Sequence, residues 1–456
     1  MVACGFVNPA TPWLPGGAEY SGLAFVRSET APAEFFTRNR ENLRALLKPR
    51  SLVIVHSNDV MPTNADGVMA FHQNADLYHL TGIHQEETIL LIATGLSADP
   101  DHAEILFIRE TNERIAIWEG NKFTKEAATA ASGVRKVEWT SAFESQFHRL
   151  APQCEHIYLL TNEHLRAAAV VETRNDRFIR ECRGRYPLHA YERLAPLMQK
   201  LRMRKSDEEV AMLRKACDIT EAGFRRVLGF VKPGVGEWEV EAELLHEFVR
   251  AGSRGFAYLP IIGSGASACV LHYTENNRRC ADGEMLLLDV AAEYAGWNAD
   301  MTRTIPVNGR FTARQRDVYN AVLRVLRAAN GLLRPGSTPA EYHKQVVGIM
   351  EGELIGLGLI NAKEAAAQGP EKPLVAKYFM HGVSHHLGLD VHDVAPANEP
   401  FAPGMVFTIE PGIYIREEGI GVRLENDFLI GEDANTDLMA GIPIEADEIE
   451  ELMNAR

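Results

Sequence analysis

Apolar positions fall into two regimes along this chain. From about residue 32 to 180, helical stretches alternate with short runs that are apolar throughout. EFFTRNRENLRALL repeats its apolar residues at helical spacing and predicts an amphipathic helix. SLVIVHS, TILLIAT, AEILFIR and HIYLLT carry VIV, ILLI and ILFI cores of strand length. Such alternation predicts an α/β domain with a mixed or largely parallel sheet. Residues 1–20 are rich in Pro and Gly and predict an extension draped over the surface.

Between about 180 and 205 the chain turns strongly basic and helical (RGRYPLHAYERLAPLMQKLRMRK), which predicts a linker helix at a domain boundary. The expected division is an N-terminal domain over 21–185 and a second domain over 186–456. Ser206, followed by Asp207, Glu208 and Glu209, predicts an N-cap with acidic residues in the first turn of a long helix that ends before Lys232-Pro233-Gly234. GEWEVEAELLHEFVRAG and ARQRDVYNAVLRVLRAAN predict two more helices. Strand runs and glycine turns lie between and after them, so the second domain reads as α+β.

Two stretches of that domain resemble each other. Cys269–Val290 can be laid over Leu389–Pro411: a histidine (His272, His392) is followed after eleven or twelve residues by a glycine (Gly283, Gly404). Six residues after each glycine an acid closes an apolar run, Asp289 or Glu410. Either two short strands coincide by chance, or a duplicated half-domain brings two acids to one site.

Composition narrows the class. At 456 residues the chain is long enough for two or three domains. A net charge of −15 argues against nucleic acid or an anionic membrane as partner, since both require a basic face. The six cysteines show no CxxC spacing and fit reduced thiols in a cytoplasmic protein. The N-terminus shows no signal-peptide pattern, and no apolar run reaches membrane-spanning length. The expectation is a soluble cytoplasmic protein.

The candidate chemistry is acidic. In LLLDVAAEYAGWNADMTRT, Asp289 ends an apolar run where a buried strand should not carry a charge. A turn near Tyr294–Ala295 would set Asp289 opposite Asp300, close enough that a cation between them is the simplest remedy for their repulsion. Two unrelated solvated aspartates are the plainer alternative, and the apolar lead-in weighs against it. Glu410 ends the strand run of MVFTIEPGIYI, and Glu425 interrupts that of GVRLENDFLI. HGVSHHLGLDVHD adds four of the chain's sixteen histidines within twelve residues: His381, His385, His386 and His392. Four carboxylates and one imidazole would balance two divalent ions. An oxygen-rich set without thiolate suits Mn²⁺, with Co²⁺ or Zn²⁺ as variants. Two such ions bridged by carboxylates and a hydroxide are common machinery for hydrolytic attack on a carbonyl.

In order and spacing these four motifs resemble the metal-ligand motifs of the pita-bread (creatinase/aminopeptidase) peptidases, the superfamily of methionine aminopeptidase, prolidase and aminopeptidase P. The match covers roughly residues 195–440. FHQNADLYHLTGIHQEETILLI and the segment Ile117–Gly120 resemble the N-terminal domain of aminopeptidase P, although His72 stands where many relatives carry arginine. The resemblance implies an α/β N-terminal domain followed by an α+β pita-bread catalytic domain. It implies metal ligands Asp289, Asp300, His385, Glu410 and Glu425, with Asp300 and Glu425 bridging and Glu410 doubling as proton shuttle. It places His272, His381 and His392 around the scissile bond as catalytic and substrate-binding residues, and Tyr414 and Arg423 on the proline side of the substrate. His386, next to His385 on an extended segment, would point to the opposite face and stay out of the site. The implied activity is cleavage between an N-terminal residue and a following proline in short peptides, by a homodimer or homotetramer. Prolidase, acting on Xaa-Pro dipeptides, is the nearest alternative. A pita-bread protein without catalysis is the alternative from another class, and the intact ligand set argues against it.

Overall fold

The computed structural model describes residues 28–96, 103–164, 166–167, 171–369 and 373–455. The N-terminal extension expected over residues 1–20 lies outside them. In the N-terminal domain six strands form one sheet in the order Val137–Trp139, Glu104–Ile108, Ile89–Thr94, Ser51–His56, His156–Leu159, Ala190–Arg193. The central pairings are antiparallel and the outer ones parallel, so the sheet is mixed. Its four central strands are largely apolar because both faces are covered, whereas the edge strands are not. Val53, Val55, Leu90 and Ile92 pack with Leu43 of helix Ala33–Leu46 and with Leu77 and Leu80 of helix Ala75–Thr81. On the other face Leu52, Ile54, Leu91 and Ile105 meet Phe147 and Phe178 of helices Phe143–Leu150 and Arg174–Arg185.

The basic stretch 180–205 does not form one linker helix. It contains the end of Arg174–Arg185, the edge strand Ala190–Arg193 and the helix Ala195–Arg202. That strand belongs to the N-terminal sheet, and Ala195 and Met198 pack in its core. The N-terminal domain therefore runs past residue 185 to about Arg202. A strand spelled AYER, exposed at both ends, carries no apolar run by which to recognise it.

The second domain opens at the expected cap. Ser206 accepts from the Glu209 N–H while the Glu209 carboxylate accepts from the Ser206 N–H, closing the first turn of helix Asp207–Phe230. This helix, with Glu237–Arg250, Ala313–Leu332 and Pro339–Gly356, packs over a β layer of two similar halves. In the first half Met285–Asp289 runs between Ile261–Ser264 and Thr302–Pro306. In the second, Val406–Ile409 runs between Asn426–Leu429 and the extended segment 383–387, where His385 accepts from the Thr408 N–H and Leu387 donates to the Val406 carbonyl. Gly283 and Gly404 turn the chain into the two middle strands at the same offset, both at positive φ (80° and 86°). The sequence repeat thus marks two equivalent turn-and-strand units. They meet where Thr302 and Glu425 pair antiparallel.

One expected register is wrong by two residues. The hairpin after Asp289 turns at Ala295–Gly296, both at positive φ (51° and 92°), with Tyr294 paired to Trp297. Asp289 therefore pairs with Thr302 and not with Asp300. The shift of two preserves the pleat, so Asp300 still shares a face with Asp289, as a diagonal neighbour. Among the described residues no helix is long and apolar enough to cross a membrane.

Candidate active site

The two halves enclose a cavity of about 660 Å³ whose walls include Asp289, Asp300, His385, Glu410 and Glu425, all five expected ligands. Four of the five flank a strand end, and His385 lies on the extended segment 383–387. Asp289 ends the first middle strand, Glu410 directly follows the second, Glu425 directly precedes Asn426–Leu429, and Asp300 lies between the hairpin and Thr302–Pro306. Ligand atoms of Asp300, His385 and Glu425 all lie within 4.8 Å of one another. His385 Nδ1 donates to the His386 carbonyl at 2.9 Å, which turns Nε2 toward Asp300 at 3.4 Å and Glu410 at 3.8 Å.

The charge balance of this cavity is unusual. Burial raises Glu410 to about 7 against the pull of His385 and Arg423. Burial and then the neighbouring carboxylates Asp300, Glu410 and Asp289 push Glu425 well above the usual range. Asp289 is raised by burial and by Asp300, with Arg423 opposing. Burial would lower His385, but its hydrogen bond to Asp300 and the charges of Glu410 and Asp300 raise it to about 9. Without another cation, these carboxylates hold protons to escape one another. Asp289 Oδ1 is buried and has no hydrogen-bond partner. Four carboxylates against one fixed guanidinium, an orphaned oxygen and an imidazole presenting Nε2 fit a pair of divalent ions.

That guanidinium is the hub of the site. Arg423, buried at 4% exposure, donates from Nη2 to Asp289 Oδ2 at 2.5 Å and from Nε to Thr302 Oγ1 at 3.1 Å. The Thr302 hydroxyl in turn donates a hydrogen bond to Glu425 Oε2 at 2.7 Å. From Nη1, Arg423 donates to Tyr414 Oη at 2.8 Å, which lies 2.9 Å from His381 Nε2. His381 Nδ1 donates to the Gly382 carbonyl at 2.7 Å, so Nε2 accepts from the phenol. Burial and then Arg423 hold His381 near 4, leaving it neutral. Arg303, also fully buried, donates to the Glu425 carbonyl at 2.8 Å and to Thr302 O at 2.9 Å, fixing the seam between the halves. Asp427 accepts from the Asp300 N–H at 3.1 Å.

His272, His381, His385 and His392 line the cavity. His386 is absent from its wall and packs on Phe407 with ring centroids 4.0 Å apart. The loop carrying His272 is tied down by Glu237, whose carboxylate accepts from Ser264 N, Tyr273 Oη and Arg278 N at 2.8–2.9 Å. The His385 and His392 rings meet edge to face at 4.4 Å, and His392 Nε2 lies 3.2 Å from Arg166 Nη1. Burial and then the charges of His385 and Arg166 lower His392 to about 4.

Tyr414 departs from expectation: it is buried behind the cavity wall and touches His381 and Arg423 instead of the open space. Sequence reasoning also missed Tyr258, a half-buried residue of the cavity wall whose enclosed hydroxyl is pushed well above the usual range by burial, then by Asp289, Asp300 and Glu425. Arg166 reaches the site from the N-terminal domain, and Leu259, Leu271 and Val391 give the cavity an apolar wall. Tyr258, Leu259, Leu271 and Arg166 lie outside the ligand motifs, whereas Val391 sits within HGVSHHLGLDVHD, next to His392. A second cavity of about 520 Å³, between the domains, shares Arg166, Val391 and His392 with the first.

Residues 211–432 match the family model for Metallopeptidase family M24, and residues 36–158 that for the Aminopeptidase P, N-terminal domain. Over 435 residues the chain is 35% identical to the Xaa-Pro aminopeptidase of Escherichia coli (strain K12), covering 92% of this chain and 97% of that protein. The fold is similar to a Zn-substituted E. coli aminopeptidase P in complex with product, with TM-score 0.83 and 34% identity over 94% of this chain and 99% of that one. It is equally similar to E. coli aminopeptidase P with the inhibitor Pro-Leu, with TM-score 0.82, 34% identity and the same coverage.

Proposed function

The chain belongs to the aminopeptidase P group of metallopeptidase family M24, and from that premise we propose that it removes the N-terminal residue from peptides with proline in second position. The observation that carries this reading is the set of four carboxylates, Asp300 and Glu425 buried and Asp289 and Glu410 partly so, gathered around His385 and the Arg423 guanidinium in one cavity. Asp289, Asp300, His385, Glu410 and Glu425 would hold two divalent ions, Mn²⁺ by preference for oxygen donors, with Co²⁺ or Zn²⁺ able to substitute. When bound, such ions lower the pKa of the attacking water and polarise the scissile carbonyl.

The protein's own groups supply the rest. Glu410, directly after its strand and 3.8 Å from His385 Nε2, is placed to take a proton from the attacking water and return it to the leaving nitrogen. Neutral His381 and His392, with His272, line the space where the peptide flanks the ligands. Arg423 and Tyr414 act on that space indirectly, by holding Asp289, Glu425 and His381 in place. Arg166 and the apolar wall of Leu259, Leu271 and Val391 give the peptide a surface to lie on.

The second cavity favours an aminopeptidase over a prolidase. It continues past His392 between the domains, which provides room for residues beyond the proline that a dipeptide would leave empty. Exposed Ile117 and Trp118 (80% and 82%) are the kind of apolar surface that a homodimer or homotetramer covers. Five cysteines among the described residues are buried and unpaired, in keeping with a reducing cytoplasm. The deciding assay offers an Xaa-Pro-Xaa tripeptide and an Xaa-Pro dipeptide with added Mn²⁺. Cleavage of the tripeptide, abolished by a chelator, is the expected result; cleavage confined to the dipeptide would move the reading to prolidase.

A further inference from the structure

The loop that presents His385 and His392 is fastened at its root by charges from outside it. Asp393, next to His392, is 5% exposed and has both carboxylate oxygens engaged. Arg202 Nη2 donates to Oδ1 at 2.5 Å and Lys205 Nζ to Oδ2 at 2.7 Å. Lys205 also donates to the Arg202 carbonyl at 2.8 Å, so the two cations brace each other. Arg202 reaches further: Nη2 to Asp390 at 2.6 Å within the same loop, and Nη1 to Asp76 at 2.7 Å in the N-terminal domain.

Asp393 is equally well set within its own loop. Its N–H donates to the His386 carbonyl at 2.9 Å, and the Gly388 N–H donates to Asp390 O at 3.1 Å, closing the turn. The carboxylate fills the space beside Gly388, where a Cβ would come within 2.2 Å of Oδ2. Asn298, in the hairpin that also carries Asp300, donates from its amide to the Gly388 and Leu389 carbonyls at 3.2 and 3.0 Å. Removing one partner from such a buried ionic cluster leaves a charge without compensation, so the turn cannot relax cheaply.

Arg202 and Lys205 lie on the segment joining the domains, at the end of helix Ala195–Arg202 and just before the Ser206 cap. We propose that they are positioning residues for the reaction: by gripping Asp393 they fix the turn that aims His385 at the ligand cluster and His392 at its rim. Seating of the N-terminal domain, through Asp76, and the geometry of the catalytic loop are then set together. The inference rests on His385 being a metal ligand.

The test uses the full-length chain. Mn²⁺ is titrated calorimetrically into chelator-stripped protein, and kcat and KM are measured on an Xaa-Pro-Xaa peptide, for Asp393→Asn, Arg202→Lys and Asp76→Asn. Groups that orient metal ligands typically contribute 10–100-fold in affinity or activity. Asp393→Asn should weaken Mn²⁺ binding by about that factor. Arg202→Lys and Asp76→Asn should lower kcat roughly tenfold while KM moves less than about threefold. Asp76→Asn removes only one outer arm of Arg202, so it decides the matter even if Asp393→Asn fails to fold. Folded variants with wild-type Mn²⁺ affinity and wild-type kcat overturn the proposal. A wild-type chain that binds no Mn²⁺ overturns the metal-site reading instead.

Discussion

Arg423 Nη2 donates to Asp289 Oδ2 at 2.5 Å, while Asp289 Oδ1 is left buried and without a partner. One carboxylate is thus split between a fixed protein cation and open space in the ligand cluster. The guanidinium fork serves Asp289, Thr302 and Tyr414 at once, and a lysine ammonium cannot reproduce that planar geometry. Arg423→Lys and Arg423→Gln are therefore both expected to lower kcat by about 10–100-fold. Steady-state kinetics check this, and a Lys variant at wild-type rate would show that the charge alone suffices.

The two adjacent histidines should separate cleanly. His385 faces Asp300 and Glu410, whereas His386 packs on Phe407 away from the cavity. His385→Ala should lose activity by more than about 100-fold and release Mn²⁺. His386→Ala should keep activity within about threefold per folded molecule yet lose roughly 1–2 kcal/mol of stability, since it removes a half-buried ring packed on Phe407. Activity and a denaturant melt on both variants settle the pair; activity loss in His386→Ala without unfolding would contradict the assignment.

What the sequence made legible follows from what each residue has to do. Asp289, Glu410 and Glu425 stood out because a charge at the end of or within an apolar strand is costly to bury unless something compensates it. Gly283 and Gly404 marked the repeat because both must turn at positive φ. The hairpin register was not legible: VAAEYAGWNAD offers two adjacent turn positions, and tertiary packing of Trp297 and Tyr78 selects the later one. The strand Ala190–Arg193 was missed because an edge strand needs no apolar run. Tyr258, Arg166 and the Arg202 cluster escaped notice because their roles come from contacts made across the fold.

His56 should make the N-terminal domain acid-sensitive. It is fully enclosed against Phe143 and Phe178, neither ring nitrogen has a partner, and burial, then Arg174 and Arg177, lower it to about 3. A lowered histidine favours folding while it is neutral, above its unfolded pKa of 6.5, and that advantage is lost as pH falls toward 3. At pH 5 the unfolded chain gains about 1.5 units of protonation driving force, or roughly 2 kcal/mol. His56→Phe removes this penalty, so its stability relative to wild type should improve by about that amount between pH 8 and pH 5. Urea melts at the two pH values measure it; an unchanged difference would mean that His56 is protonated in the fold.

Metal removal should reverse the usual pH dependence at the catalytic domain. Without ions, Glu410 is raised from 4.5 to about 7, Asp289 and Glu425 are raised as well, and His385 is raised from 6.5 to about 9. A group raised in the folded state stabilises it below its unfolded pKa and loses that contribution as pH climbs through the folded value. All four shifts have this sign, so chelator-treated protein should lose stability steadily from about pH 5 to pH 9. Bound divalent ions replace the protons as counter-charge, and they stabilise the fold by an amount that grows with their concentration. Mn²⁺-loaded protein should therefore melt at nearly constant temperature over the lower part of this window, and the gap between loaded and stripped samples should widen with pH. Paired thermal melts at pH 5.5, 7 and 8.5 test this. A gap that stays constant or narrows would show that the cluster carboxylates are ionised without metal, and that Arg423 and His385 alone are enough to hold them.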